Sequence, residues 1–157
     1  MPFVTRLFLV LHILGAIIAV GFSVSYGIWT ALGDATGAAE RAFALRSISW
    51  IDRRMTTPAF VLQFVTGAVL VWLIGTALLP QTWLRVSIGL YVLLTVLAIA
   101  KFAPLHRRQL SLAEQIAAGE TPDEDYAAVA SRARIWGIAV VLITLTIVVL
   151  MVTKPGV

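Results

Sequence analysis

Four stretches, Leu7 to Trp29, Pro58 to Leu79, Trp83 to Ala103 and Ile135 to Val152, each run for about 20 predominantly apolar residues. That is the length needed to cross the ~30 Å hydrocarbon core of a bilayer at 1.5 Å per residue. A backbone in lipid must satisfy its own hydrogen bonds, so segments of this kind fold as helices. The predicted fold class is all-α: a polytopic membrane protein with a four-transmembrane-helix antiparallel bundle over residues 1–157. Of the 157 residues, 60% are hydrophobic and only 13% charged, a balance outside the soluble globular range. Leu7 to Trp29 is too long for a signal-peptide core and ends in Tyr26 and Trp29, as an interfacial belt does, so it reads as a retained span.

The polar segments set the topology. "IGTALLPQTW" is a short uncharged turn with Pro80 in it, which makes spans two and three antiparallel neighbours. Of the 12 Lys and Arg residues, Arg6, Arg85 and Lys154 fall on one side. The rest accompany the two long connections, Gly33 to Thr57 and Pro104 to Arg134. Positive charge beside short loops stays cytoplasmic, so both termini are predicted to face outward. This bias also accounts for the net charge of +4 without nucleic acid as a partner. All eight acidic residues lie in the same two connections, which excludes a carboxylate proton relay within the spans.

The long connections carry helical patterns of their own. "LHRRQLSLAEQIAAG" predicts a short amphipathic helix at the membrane surface, stopped by glycine. Thr121, Pro122 and "DED" predict a capped helix start that continues into span four, and "TTP" predicts a similar start for span two. "GDATGAAERAFALRSISWIDRR" predicts a further cytoplasmic helix. Asp52, Arg53 and Arg54 fit positive-inside anchoring, with an anionic headgroup or a partner's acidic loop as the functional alternative.

Inside the membrane the chemistry centres on His12. Steps of three and four place Gly15, Ala16, Ala19, Ser23 and Gly27 on its stripe, a small-residue face suited to close helix packing or to a flat cofactor. On span two, Ala59, Gln63, Thr66 and Gly67 make a comparable face. His12 lies roughly 9 Å below the outer interface by helical rise. The other histidine, His106, follows span three at the opposite end, roughly 25 Å away along the membrane normal by the same rise, so the two cannot ligate one iron within a monomer. The expected neighbours of His12 are Gln63, Ser87 and Tyr91. Met151 is the candidate thioether for a second iron position. Cysteine is absent, which removes thiolate sites and disulfides.

"LFLVLHILGA", "MTTPAFVLQFVTGAVL", "TWLRVSIGLYVLL" and the terminal "IVVLMVTKPGV" together resemble the HemJ-type membrane protoporphyrinogen oxidases and their CopD-like relatives, in order across all four spans. The resemblance implies a bacterial inner-membrane four-helix bundle that binds haem b, with His12 as candidate axial ligand. If the protein is an enzyme, it implies a membrane oxidoreductase. Where the oxidases carry a lysine after the W-L pair, this chain has Ser87. In its "DRR...P" and terminal K-P it is closer to that group's integral-membrane relatives of unknown function. Three function classes follow: a haem-b-binding redox protein; a cofactor-free accessory subunit whose small-residue faces meet partner helices or a second copy; and a small-solute or metal transporter.

Overall fold

A computed structural model describes residues 2–75, 78–121 and 123–155. The helices are α1 (Phe3–Thr36), α2 (Ala38–Ile51), α3 (Thr57–Ile74), α4 (Thr82–Leu97), α5 (Ala103–Ala117) and α6 (Glu124–Thr153). Among the described residues there is no strand. A π-helical turn, Asp52–Thr56, joins α2 to α3, and a second, Ala98–Phe102, joins α4 to α5. The chain is therefore four long rods, Phe3–Thr36, Ala38–Ile74, Thr82–Ala117 and Glu124–Thr153, each long and apolar enough to cross a membrane. The end where α1 begins and α6 ends is called the terminal end below, the other the loop end.

Each rod is longer than the bilayer requires: 34 residues at 1.5 Å make α1 about 51 Å long. The excess projects from the loop end, where a small soluble-type core forms from Ala42, Leu45, Ala113, Tyr126 and Ala130. The segment expected as a surface helix is α5. Its apolar side does not lie on lipid: Leu110, Leu112 and Ile116 pack against that core, and Ala113 is fully buried. The apolar partner surface supplied by α2 and α6 removes the reason for a membrane-surface orientation.

Three predicted boundaries move. Span two stops at Ile74 instead of Leu79, because Gly75 takes φ +116, a conformation that ends the helix and favours glycine. "TTP" starts no new helix. Thr56 is buried with its hydroxyl against Tyr26, Thr57 bonds Asp52, and the backbone passes through the π turn without a break. Pro122 lies outside the described residues. The last helix starts at Glu124 without a side-chain cap, and the Thr121 hydroxyl bonds the Gln115 side chain instead.

Within the membrane region the close pairs are α1 with α3 and α4 with α6. Spans two and three touch at Tyr91: its hydroxyl donates to the Phe60 carbonyl at 2.7 Å, and its ring stacks on Phe64. The remaining apolar surface, Ile13, Ile17, Phe64, Trp72, Val92 and Val149 among it, faces outward, as a lipid-facing surface should.

Candidate functional site

Small residues decide how α1 meets α3. Gly15 and Ala19 are buried on one helix, Ala59 and Thr66 on the other. Two glycines face each other's polar neighbour across this seam. A Cβ on Gly67 would lie 3.3 Å from His12 Cε1, and a Cβ on Gly15 would lie 3.3 Å from Gln63 Nε2. Each glycine is thus the seat for the polar side chain of the opposite helix, and a bare backbone is what allows the fit.

The hydrogen bonds at this seam fix the state of His12. Its Nδ1 lies 2.9 Å from Thr66 Oγ1. The Thr66 hydroxyl proton is directed to the Leu62 carbonyl at 2.6 Å, one turn back on its own helix. A hydroxyl whose proton is committed can only accept from the imidazole, so Nδ1 carries the hydrogen and Nε2 keeps its lone pair. Gln63 Nε2 donates to the His12 backbone carbonyl and so pins the α1 backbone at the same level. The half-buried imidazole is held at one nitrogen, and the other bonds no described residue.

Of the expected neighbours, Gln63 does reach His12, through the backbone. Ser87 is fully buried, with its hydroxyl donating to the Trp83 carbonyl on its own helix at 2.7 Å. Tyr91 is committed to Phe60. Met151 is half-buried near the end of α6. None of these three forms a hydrogen bond to His12. Thr66, the residue that does bond the ring, was visible in the sequence only as one member of a small-residue face.

His106 is a contrasting case. Its Nε2 lies 2.9 Å from Ser49 Oγ, and its ring stacks on Phe102 with centroids 5.8 Å apart. Burial pushes its pKa below the ordinary histidine value, with the Leu45 backbone opposing. It joins α5 to α2 and shares no partner with His12.

A second polar cluster, unannounced by any motif, sits at the loop end. The Tyr126 hydroxyl donates to Asp34 Oδ1 at 2.8 Å and accepts from Gln109 Nε2 at 2.9 Å. The Arg41 guanidinium lies 4.3 Å from the Tyr126 ring centroid and pairs with Asp34 and Asp123. Arg41 Nε is 3.2 Å from Asp34 but too poorly aligned to donate, so that bond is electrostatic only. Burial, helped by the Asp34 charge, pushes the Tyr126 phenol up to about 12. Burial works against the Arg41 charge, yet Asp123, Tyr126 and Asp34 more than offset it and raise the pKa. Asp34, Arg41, Asp123 and Tyr126 line a cleft of about 320 Å³. No spacing in the sequence pairs residues 92 apart, as Asp34 and Tyr126 are.

Among the described residues no three His, Asp or Glu side chains are grouped to hold a metal ion. Residues 6–155 match the family profile described as "Predicted integral membrane protein (DUF2269)". The chain belongs to this family. No curated protein and no solved structure matches it. Membership of DUF2269 carries the integral-membrane character seen in the four rods; it says nothing about haem.

Proposed function

We propose that this DUF2269 protein binds haem b in the terminal-side half of its bundle, with His12 Nε2 as the axial ligand, and serves a redox role in the bacterial inner membrane. The observation that carries this reading is the contact of His12 Nδ1 with Thr66 Oγ1, whose own donor bond to Leu62 assigns the proton to Nδ1. An imidazole whose Nδ1–H is held by an oxygen presents Nε2 as a ligand of fixed orientation, the arrangement that ligating histidines use. Haem, when bound, supplies one-electron redox chemistry at its iron. The chain's own residues do the rest: Thr66 holds the proton on Nδ1, Gln63 fixes the backbone of the ligand, and the apolar spans keep out water. Gln63, Ser87 and Tyr91 are each committed to a backbone carbonyl, so any second side chain that would hold the haem would be the Met151 thioether.

The donor set favours haem binding over protoporphyrinogen oxidation. Where the resembling oxidases carry a lysine, Ser87 is buried and hydrogen-bonded within its own helix, so it offers neither a charge nor a base. The accessory-subunit reading is favoured by one specific observation, that the polar side chains of the α1–α3 seam already pair with each other.

The visible spectrum of protein purified in mild detergent from haem-replete cells separates the two. A Soret band that His12→Ala abolishes supports ligation, and colourless, folded wild-type protein overturns it. The orientation, both termini periplasmic, rests on the Lys and Arg asymmetry. Because the chain has no cysteine, single-cysteine labelling tests it directly. A Cys at Arg6 is expected to react with an impermeant maleimide in intact cells with a permeabilised outer membrane. A Cys at Glu120 should react only after lysis.

A further inference from the structure

The terminal end of the α4–α6 pair holds a polar group that neither the helix packing nor the proposed haem site uses. Trp83, on the first turn of α4, is 7% exposed, and its indole Nε1–H is buried without a hydrogen-bond partner among the described residues. Indole nitrogen is a donor only, and a buried donor without an acceptor destabilises the structure that contains it.

Directly past the end of α6, Lys154 adopts the left-handed conformation, φ 42 and ψ 59, with its Nζ 5.7 Å from the Trp83 ring centroid. It is the one non-glycine among the described residues with positive φ. The left-handed conformation caps the helix, with the exposed Lys154 donating its backbone N–H to the Leu150 carbonyl. The effect is to keep an ammonium, a second donor-only group, beside the indole. No Asp or Glu side chain is available to either: all eight lie in the two long connections at the loop end. Arg6 and Arg85, the other two basic side chains of the terminal end, likewise form no ion pair among the described residues. This end of the molecule therefore holds a buried, unpartnered N–H and positive charge with no carboxylate side chain to answer them.

We propose that Trp83 Nε1–H and the Lys154 ammonium together bind a phosphate oxyanion at the terminal end of the α4–α6 pair. Phosphate offers several acceptor oxygens and negative charge, and a bond from a charged donor to it is about twice as strong as a neutral one. The pair stands where spans three and four leave the hydrocarbon, the depth of phospholipid headgroups, which makes a lipid phosphate the first source and free phosphate the second. Trp83 gives direction, because its single N–H must point at an oxygen; Lys154 gives charge.

The test uses the full chain in mild detergent and native mass spectrometry. The probes are phosphatidylglycerol, a glucosyl diacylglycerol with the same acyl chains but no phosphate, and inorganic phosphate as competitor. Wild type is expected to retain phosphatidylglycerol about tenfold more strongly than the phosphate-free lipid. Trp83→Phe, which keeps the ring and loses the N–H, and Lys154→Gln should each remove most of that preference, and Lys154→Arg should restore it. Trp72→Phe, at a lipid-exposed indole, and Lys101→Gln, at the loop end, should not change it. Millimolar inorganic phosphate that displaces the lipid and shifts the mass of wild type but not of Trp83→Phe supports the same site with free phosphate as its ligand. Retention by Trp83→Phe equal to wild type, or an equal loss in Trp72→Phe, overturns the proposal.

Discussion

A single hydroxyl determines what His12 can do. With the Thr66 proton committed to Leu62, the imidazole donates from Nδ1 and keeps a lone pair on Nε2. Thr66→Val preserves the side-chain shape and removes the acceptor. If His12 ligates iron, haem retention should fall about tenfold or more, the usual effect of losing the partner that orients a ligand. Titration of haem into the purified apoprotein reads this out, and unchanged affinity counts against the tautomer argument. His106 yields a prediction of a different kind. Burial holds its pKa below the ordinary value of about 6.5, so as pH falls the unfolded chain takes up the proton before the folded one does. Stability contributed by the neutral ring is therefore full above about pH 6.5, declines as the pH drops towards the lowered folded value, and levels off beneath it. Thermal unfolding in detergent should show a midpoint that drops between about pH 7.5 and pH 5.5 in wild type by more than in His106→Gln. Parallel profiles in the two proteins would rule out that linkage.

At the level of helices, close approach depends on positions where a methyl group does not fit. A Cβ on Gly33 would lie 3.0 Å from Ala44 Cβ and 3.1 Å from Arg41 Cα, so α1 and α2 are in backbone contact where they form their hairpin. Gly33→Ala should destabilise the protein by about 1–3 kcal/mol, the range for overpacking a rigid contact. Gly21→Ala, which meets open space, should be neutral or slightly stabilising. A matched shift of unfolding midpoint in both variants would contradict this assignment of the α1–α2 contact. The spans were legible because apolar length is a local property of the sequence. So was part of the His12 stripe: Gly15 and Ala19 are buried on the side that meets Gln63, Thr66 and Gly67 of α3, whereas Gly27 at its far end meets open space. What escaped was where helices continue. The residues of "TTP" are ordinary cap and first-turn types, and only the contacts of Thr56 with Tyr26 and of Thr57 with Asp52 show that the backbone runs on through them.

For the whole molecule, the loop end is held by a small core of its own, Ala42, Leu45, Ala113, Tyr126 and Ala130, beyond the α1–α3 seam. Tyr126 binds three elements there at once, Asp34 on α1, Gln109 on α5 and, through its ring, Arg41 on α2. Tyr126→Phe leaves the 3%-exposed Gln109 and its neighbour Asp34 each short of a partner. It should lower unfolding stability by about 1–3 kcal/mol, the cost of stranding buried polar groups, while leaving any Soret band in place. Loss of the chromophore along with stability would show that the two ends are coupled. The Arg41 and Asp123 charges were readable in the sequence only as part of a topogenic bias, since composition records how many charges a loop holds and not which of them meet.

Each of the two middle rods carries one π turn, Asp52–Thr56 and Ala98–Phe102, between its loop-end part and its membrane part. One residue of an α-helix turns the chain by about 100°, so the extra residue of a π turn offsets the faces on either side of it by about that angle. The π turns thus act as fixed couplings between two shafts. The loop-end core and the membrane seam therefore need not share one hydrophobic stripe: a single rod serves both from faces about 100° apart.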